Sequence, residues 1–328
     1  MPSFLFEGAP VEYKDGESVL ATLLRNHVAV ENGCHAGACQ RCLLRSKSTP
    51  PTMAQAGLDD LLVEQGAFLA CQAKSENLEC IERLHPEVRR QFSATLREKR
   101  VVSGDVMILT LDVSDWASKP GRFIHLSNEL GVSRSYSVAT PAWLPATTLQ
   151  LHVRLVPGGL MSDSLKSARL NDSFYVQGPY GKCFYRVESN HAPLLLIGTG
   201  TGLAPLYGIA TDALLKGHLG PIHLFHGARS SEKLYFREEL VALRSQFSNF
   251  HYHACVETEP RFDELVGSPL SHALASHNEL EGYKVYLCGH PQLVRVGQKK
   301  CYLAGASLAD IATDAFAPNQ ISPMETSN

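Results

Sequence analysis

The chain has 328 residues, of which 44% are hydrophobic and 19% are charged, and its formal net charge is −3. This length accommodates two or three domains, and such an apolar fraction excludes an intrinsically disordered chain. The weak negative charge, without a basic run, argues against nucleic acid as a partner. Nine cysteines are too few for a disulfide scaffold, so we expect reduced thiols and a cytoplasmic protein.

The first predicted domain spans residues 1–88. Alternating apolar residues over 4–13 indicate a β-hairpin. Apolar residues over 19–24 recur at helical spacing, and we predict Asp15 as the cap of this helix. A second, short helix is expected over 58–63.

Four cysteines dominate this domain. Cys34, Cys39 and Cys42 form a C-x4-C-x2-C run, and Cys71 follows in a separate segment. This is the plant-type spacing of a [2Fe–2S] cluster, which four thiolates hold. Gly37 in the loop allows the positive φ that brings backbone N–H groups close to sulfur. A zinc site or a disulfide framework is the alternative, but zinc sites usually pair two C-x2-C knuckles, and here there is one.

Residues 89–187 form the second predicted domain. Short β-type runs separated by turn residues recur along it and indicate an antiparallel β-barrel. These runs cover residues 106–113, 122–126, 135–139, 149–155 and 173–177.

Two motifs in this range carry the groups that a flavin needs. Arg134 suits the pyrophosphate because a guanidinium binds phosphate oxygens bidentately. Tyr136 suits stacking on the ring, and Ser137 suits a donor near the flavin N5. A glycine-rich segment before a helical stretch aims N–H groups and a hydroxyl at phosphate, and it comprises Gly159, Leu160, Met161 and Ser162.

Strands alternate with helical segments in the third predicted domain, residues 188–316. This order predicts a parallel sheet with helices on both faces. We expect strands over 194–197, 222–225, 251–256 and 285–287, and helices over 203–216, 233–245, 263–275 and 291–304. Residues 191–211 lack Asp, Glu, Lys and Arg, but four glycines and two prolines indicate a core strand and turn, so we predict no membrane span. Residues 317–328 are predicted to be a disordered tail.

The first strand of this domain runs into a glycine-rich turn ahead of a helix, and backbone amides at such a turn bind phosphate. The turn comprises Gly198, Thr199, Gly200, Thr201 and Gly202. It departs from the G-x-G-x-x-G fingerprint, and His226, not an acidic residue, stands near the end of the second strand, followed by Arg229. Cys288 and Gly289 end a later strand, where ligands of such sheets bind.

Together these motifs resemble the ferredoxin-type reductases that hold a [2Fe–2S] cluster, FAD and NAD(P)H and that supply bacterial oxygenases, such as phenol hydroxylase, benzoate dioxygenase and soluble methane monooxygenase. The resemblance covers residues 1–316 in the family's order of domains. It implies a β-grasp ferredoxin fold for the first domain, an FAD-binding barrel for the second and an NAD(P)H-binding α/β fold for the third.

The resemblance also assigns residues. It implies that the cluster ligands are Cys34, Cys39, Cys42 and Cys71, that the FAD motifs are Arg134–Ser137 and Gly159–Ser162, and that the nucleotide turn is Gly198–Gly202. Cys288 and Gly289 match the family's C-G-x-P element near the nicotinamide, with His290 in place of a proline. Phe316 matches an aromatic residue that covers the flavin in many members. On this basis Ser137 and Cys288 are the predicted catalytic residues.

The implied activity is an NAD(P)H-dependent reductase, in which a hydride passes to FAD and single electrons pass to the cluster and on to a separate acceptor protein. The Gly-Ala-Arg-Ser segment at 227–230 favours NADH in this family, although Arg229 is a cation that suits a 2′-phosphate. A diiron monooxygenase, a Rieske dioxygenase and a deoxysugar dehydrase are all compatible acceptors. The alternative function is a non-enzymatic [2Fe–2S] carrier or redox sensor whose reductase half only docks a partner.

Overall fold

The computed structural model describes residues 2–84, 91–116 and 119–316. Backbone contacts divide these residues into two units, residues 2–84 and residues 91–316. Residues 317–328, which are predicted to form a disordered tail, lie outside the described residues. Within the described residues, no α-helix has the length and apolarity that crossing a bilayer requires.

The first unit is a five-stranded mixed sheet with helix α1 packed on it. Its strands lie in the order β2-β1-β5-β3-β4, with β1 and β5 parallel. Val19 and Leu20 of α1 share one core with Phe4 and Phe68 of the sheet. The elements are β1 (Ser3–Phe6), β2 (Ala9–Glu12), α1 (Val19–Arg25), β3 (Leu43–Ser46), α2 (Asp60–Glu64), β4 (Ala67–Leu69) and β5 (Cys80–Arg83).

The cap predicted at Asp15 is wrong. Ser18 is the N-cap of α1, and its side chain accepts a hydrogen bond from the backbone N–H of Ala21 at 3.2 Å. A capping oxygen must lie directly before the helix to reach the second or third helical N–H, and Asp15 lies too far upstream of Val19.

An antiparallel barrel opens the second unit. Its strands lie in the order β10-β7-β6-β11-β8-β9, and an antiparallel bridge between Val138 and Leu151 joins the two ends, which closes the sheet. The interior is filled by side chains such as Leu96, Leu109 and Leu126. This confirms the predicted barrel. The elements are β6 (Gln91–Ser103), β7 (Val106–Val113), β8 (Phe123–Ser127), β9 (Ser133–Ser137), β10 (Thr148–Arg154), α3 (Leu160–Ser167) and β11 (Ser173–Tyr180).

A parallel sheet forms the rest of this unit and confirms the predicted α/β fold. Its order is β15-β14-β13-β12-β16-β17, so β12 lies between β13 and β16. Chain order reverses at β12, which opens a crevice at the carboxyl ends of the strands. The elements are β12 (Leu194–Thr199), α4 (Leu203–Leu215), β13 (Ile222–Ala228), α5 (Arg237–Gln246), β14 (Phe250–Val256), β15 (Leu265–Val266), α6 (Pro269–Ser276), β16 (Lys284–Gly289), α7 (Pro291–Leu303) and β17 (Ile311–Ala315).

The helix predicted over 263–275 is shorter in the structure. Leu265 and Val266 form β15, and α6 begins at Pro269, which occupies the first helical turn. Proline is favoured there and disrupts a helix interior, so it marks the true start.

Candidate cofactor and active sites

The predicted cluster loop follows a tight path. Positive φ angles occur at His35 (54°), Gly37 (77°) and Gln40 (53°). This path turns backbone N–H groups toward sulfur: Cys39 N donates to Cys34 Sγ at 3.3 Å, and Cys34 N donates to Cys39 Sγ at 3.4 Å. Such donors stabilise the thiolate form, which is the form that binds a metal.

The four thiols form two pairs. Within each pair the shared hydrogen bond lowers the pKa of one thiol and raises that of the other: it lowers the pKa of Cys34 and Cys71 and raises the pKa of Cys39 and Cys42. Each iron of a [2Fe–2S] cluster takes two cysteines. Two pairs of thiols therefore fit the cluster.

Strand β9 carries the predicted flavin motif. Arg134 is half-buried and its Nη1 donates to Ser133 O at 2.7 Å, but no carboxylate of the described residues pairs with it. Tyr136 is also half-buried, and burial raises the pKa of its phenol. A guanidinium and a tyrosine two residues apart on one strand fit the diphosphate and ring of a flavin.

The predicted pyrophosphate segment begins helix α3. Gly159 is the N-cap and has no side chain to bond the first-turn N–H groups, so these can meet an anion. Ser162 is buried, and its Oγ accepts a hydrogen bond from Val156 N at 2.9 Å. Leu160 is exposed, whereas Met161 is buried in the barrel core, so Met161 can contribute only its backbone.

The glycine-rich turn after β12 packs against the loop after β16. A Cβ on Gly202 would lie 2.4 Å from Cys288 O, and a Cβ on Gly289 would lie 2.7 Å from Thr199 O. Only glycine fits at these two close approaches of backbone to backbone. The N-terminus of α4 has no side-chain cap, so no capping side chain competes with a phosphate there. The fold thus joins two motifs that lie far apart in the sequence.

The predicted catalytic residues meet at the end of β17. Ser137 Oγ donates to Asp314 Oδ2 at 2.6 Å, and Asp314 is paired with Cys288 in the β16–β17 register. Burial raises the pKa of Asp314 to about 6, and the hydrogen bond from Ser137 opposes this shift. Phe316 N donates to Gly289 O at 2.8 Å, which places Phe316 at the same edge.

Three domain models match the chain in order. The 2Fe-2S iron-sulfur cluster binding domain matches residues 6–76, the oxidoreductase FAD-binding domain matches residues 93–185, and the oxidoreductase NAD-binding domain matches residues 196–299. The chain belongs to the ferredoxin-type [2Fe–2S], FAD and NAD(P)H reductases. It is an oxidoreductase of the ferredoxin–NAD(P)+ reductase type.

Relatives of this reductase match over nearly the whole chain. The reductase subunit of an aromatic O-demethylase from Amycolatopsis sp. is 29% identical over 327 residues, 95% of this chain and 97% of the relative. The reductase component of the naphthalene 1,2-dioxygenase system of Pseudomonas putida is 28% identical, again over 95% and 97%. The crystal structure of an Amycolatopsis cytochrome P450 reductase has a TM-score of 0.69 and 28% identity, covering 96% of this chain and 99% of that one.

Two residues of this reductase site are absent from the sequence predictions. Asp314 accepts a hydrogen bond from Ser137. Its position two residues before the predicted flavin residue Phe316 is the feature of the sequence that could have indicated it. Cys183 Sγ lies 3.7 Å from Cys288 Sγ, and both thiols are buried. Burial raises the pKa of Cys288, so its thiol is neutral near neutral pH.

Arg229 stands apart from the catalytic edge. It follows β13 at the carboxyl side of the sheet, is exposed, and its carbonyl accepts a hydrogen bond from Thr258 N at 3.0 Å. In parallel sheets of this kind the end of the second strand faces the adenosine ribose, so Arg229 is available to that part of a nucleotide. His290, which replaces the family's proline, accepts from Gln292 N at 3.2 Å and caps α7.

Proposed function

We propose that this reductase takes a hydride from NADH onto FAD and passes single electrons through its [2Fe–2S] cluster to a separate oxygenase component. The observation that carries the proposal is the contact of Ser137 with Asp314 beside Cys288, where the barrel strand β9 meets the carboxyl edge of the nucleotide sheet. An oxygenase is favoured as acceptor because the two relatives described above are components of an aromatic O-demethylase and of a dioxygenase system.

The roles follow the predicted domains, which we propose to span residues 1–88, 89–187 and 188–316. The cluster ligands are Cys34, Cys39, Cys42 and Cys71. The FAD-binding residues are Arg134, Tyr136, Ser137, Gly159, Leu160, Met161, Ser162 and Phe316. The nucleotide-binding residues are Gly198, Thr199, Gly200, Thr201, Gly202, Arg229, Cys288 and Gly289.

Ser137 and Asp314 form a short path for a proton at the reacting edge. The hydroxyl of Ser137 is buried and already oriented by the carboxylate, so it is held at one position before substrate arrives. With its pKa raised to about 6, Asp314 is protonated in part of the molecules near neutral pH. The thiol of Cys288 is fully buried next to Asp314 in the β16–β17 pairing, and burial keeps it neutral.

We expect purified protein to show flavin and iron–sulfur absorption that NADH bleaches under anaerobic conditions. A colourless, iron-free protein would contradict the proposal, and a flavin that NADH does not reduce would favour the non-enzymatic carrier.

NADH-driven reduction of ferricyanide should be abolished by Arg134→Ala but only slowed by Cys39→Ser, because ferricyanide can accept electrons from flavin.

NADH is the proposed donor because Gly227–Ser230 match the segment typical of NADH-dependent members. Comparison of kcat/KM for NADH and NADPH tests this choice, and a higher value with NADPH would reverse it.

Crosslinking the reduced protein in host extract and identifying the captured partner tests the acceptor, and capture of a dehydrase instead of an oxygenase would correct it. None of the nine cysteines forms a disulfide, which supports a cytoplasmic protein.

A further inference from the structure

A buried histidine lies beneath the nucleotide turn. His226 is on β13, in register with Gly198 of β12, and its side chain is 0% exposed. Its Nε2 lies 3.2 Å from the carbonyl oxygen of Gly200. The turn is thus bonded by a side chain from the neighbouring strand.

The geometry specifies the tautomer of this ring. Burial lowers the pKa of His226 to about 4, so the ring is neutral at neutral pH and carries one N–H. A carbonyl oxygen can only accept, so that N–H is at Nε2. Tyr235 packs edge-on against the ring, with 5.7 Å between centroids, and its hydroxyl bonds His152 Nδ1 at 3.0 Å. The ring is therefore held in one orientation.

The Gly200 carbonyl is also bonded within the turn. Gly200 has a φ of 53°, and no atom lies within 4 Å of the position that a Cβ would take. Its carbonyl also accepts from Leu203 N, within the turn itself. Because a trans peptide is planar, its C=O and N–H point in opposite directions. A Gly200 carbonyl held toward His226 therefore directs the N–H of Thr201 away from the core.

We propose that His226 is a positioning residue for the nucleotide turn: its Nε2–H holds the Gly200 peptide so that the N–H of Thr201 faces the phosphates of the bound dinucleotide. This inference rests on the proposed function, since it assigns the turn to NADH. His226 acts through the backbone of the turn and takes no part in hydride transfer.

The test compares two substitutions of His226 in the full-length protein. His226→Phe keeps an aromatic ring but removes the donor, and His226→Gln keeps an N–H donor. One neutral hydrogen bond corresponds to a factor of roughly 3–10 in binding, so we expect His226→Phe to raise the KM for NADH by that factor with kcat for ferricyanide reduction nearly unchanged. His226→Gln should restore the KM to near the wild-type value. Amide hydrogen exchange over residues 198–204 should be faster in His226→Phe alone.

A matched control is His218→Phe, because His218 is also buried and hydrogen-bonded, to the hydroxyl of Tyr185 at 3.0 Å. This control should leave the KM for NADH unchanged. Three results would overturn the inference: an unchanged KM in His226→Phe, an equal rise in both His226 variants, or an equal rise in the control. Wild-type protein that NADH cannot reduce would contradict both the proposed function and the inference. An active wild-type protein whose His226 variants keep an unchanged KM for NADH would contradict the inference alone.

Discussion

One hydroxyl and one carboxyl, those of Ser137 and Asp314, meet at the edge that we propose as the reacting site. Burial raises the pKa of Asp314 from 3.8 to about 6. Its contribution to folding stability is therefore largest below pH 4 and is lost as the pH rises through about 6, because the ionised carboxylate is the form that burial disfavours. The same titration reaches the reaction through Ser137.

We predict that the rate at which ferricyanide reoxidises the NADH-reduced protein rises as the pH rises through about 6. A hydride brings its own hydrogen, so reduction by NADH takes up no proton at the reacting edge, whereas removal of the two electrons one at a time releases one. An ionised Asp314 can accept that proton through Ser137, whose hydroxyl donates to it at 2.6 Å. Stopped-flow absorbance across pH 5–8 measures this rate. Asp314→Asn keeps an acceptor for Ser137 but cannot titrate, so its profile should be flat; a transition that survives in this variant would assign the proton to another group.

The paired thiols lead to a second residue-scale prediction. Cys71→Ser should abolish the iron–sulfur absorption and retain bound flavin, because Cys71 belongs to one of the two thiol pairs and the barrel lies in the other unit. NADH-driven ferricyanide reduction should persist. Cys80→Ser is the control, since Cys80 is a partly exposed cysteine of the same unit outside the loop. Equal loss of iron in both variants would remove Cys71 from the ligand set.

Residues that act through local spacing were open to prediction from the sequence, and those that act through strand pairing were not. The cysteine run and the Arg134–Ser137 motif each lie within one short segment. Asp314 and Cys183 become part of the site only because β17 pairs with β16 and because the chain after β11 returns to Cys288. No spacing rule joins positions that distant.

At the scale of elements, the glycine-rich turn lies so close to the loop after β16 that adding a side chain to the turn should destabilise the protein. We predict that Gly202→Ala lowers the free energy of unfolding by about 2 kcal/mol and weakens NADH binding, because its Cβ would overlap the backbone of Cys288. Thermal unfolding and the KM for NADH measure both effects. The control on the same turn is Gly200→Ala, which meets open space and adds only roughly 1 kcal/mol of left-handed backbone strain. Equal effects of the two changes would show that crowding is not the cause.

Element patterns also explain which predictions were correct. Strand β7 is buried along nearly its whole length, so it was readily predicted as a strand. The long strand β6 was not, because Ala94 and Leu96 are its only fully buried residues and most of its other residues are polar or charged. Strand β15 has two exposed residues within a segment that looked helical. Short or mostly polar segments carry too little periodicity to be recognised.

For the molecule as a whole, electrons should divide among the cofactors by simple stoichiometry. FAD accepts two electrons, the cluster accepts one, and NADH delivers two, so we predict complete bleaching at about 1.5 equivalents of NADH per protein. Anaerobic titration followed by absorbance measures this ratio. An endpoint near one equivalent, with the iron–sulfur bands unchanged, would mean that the cluster does not receive electrons from the flavin.

The type of each domain followed from the sequence, whereas the order of strands within each sheet did not. Alternation of strands with helices predicts a parallel sheet, but the position of β12 between β13 and β16 depends on which faces pack together. The same holds for the closure of the barrel through Val138 and Leu151, which a list of strands does not contain.

The backbone contact between Phe316 and Gly289 bears on how this protein is produced in the laboratory. It fixes the main chain at the mouth of the crevice, so a purification handle fused directly after Phe316 would start beside the entrance for the nicotinamide nucleotide. Such a handle should therefore raise the KM for the nucleotide and leave the absorption of the iron–sulfur cluster unchanged.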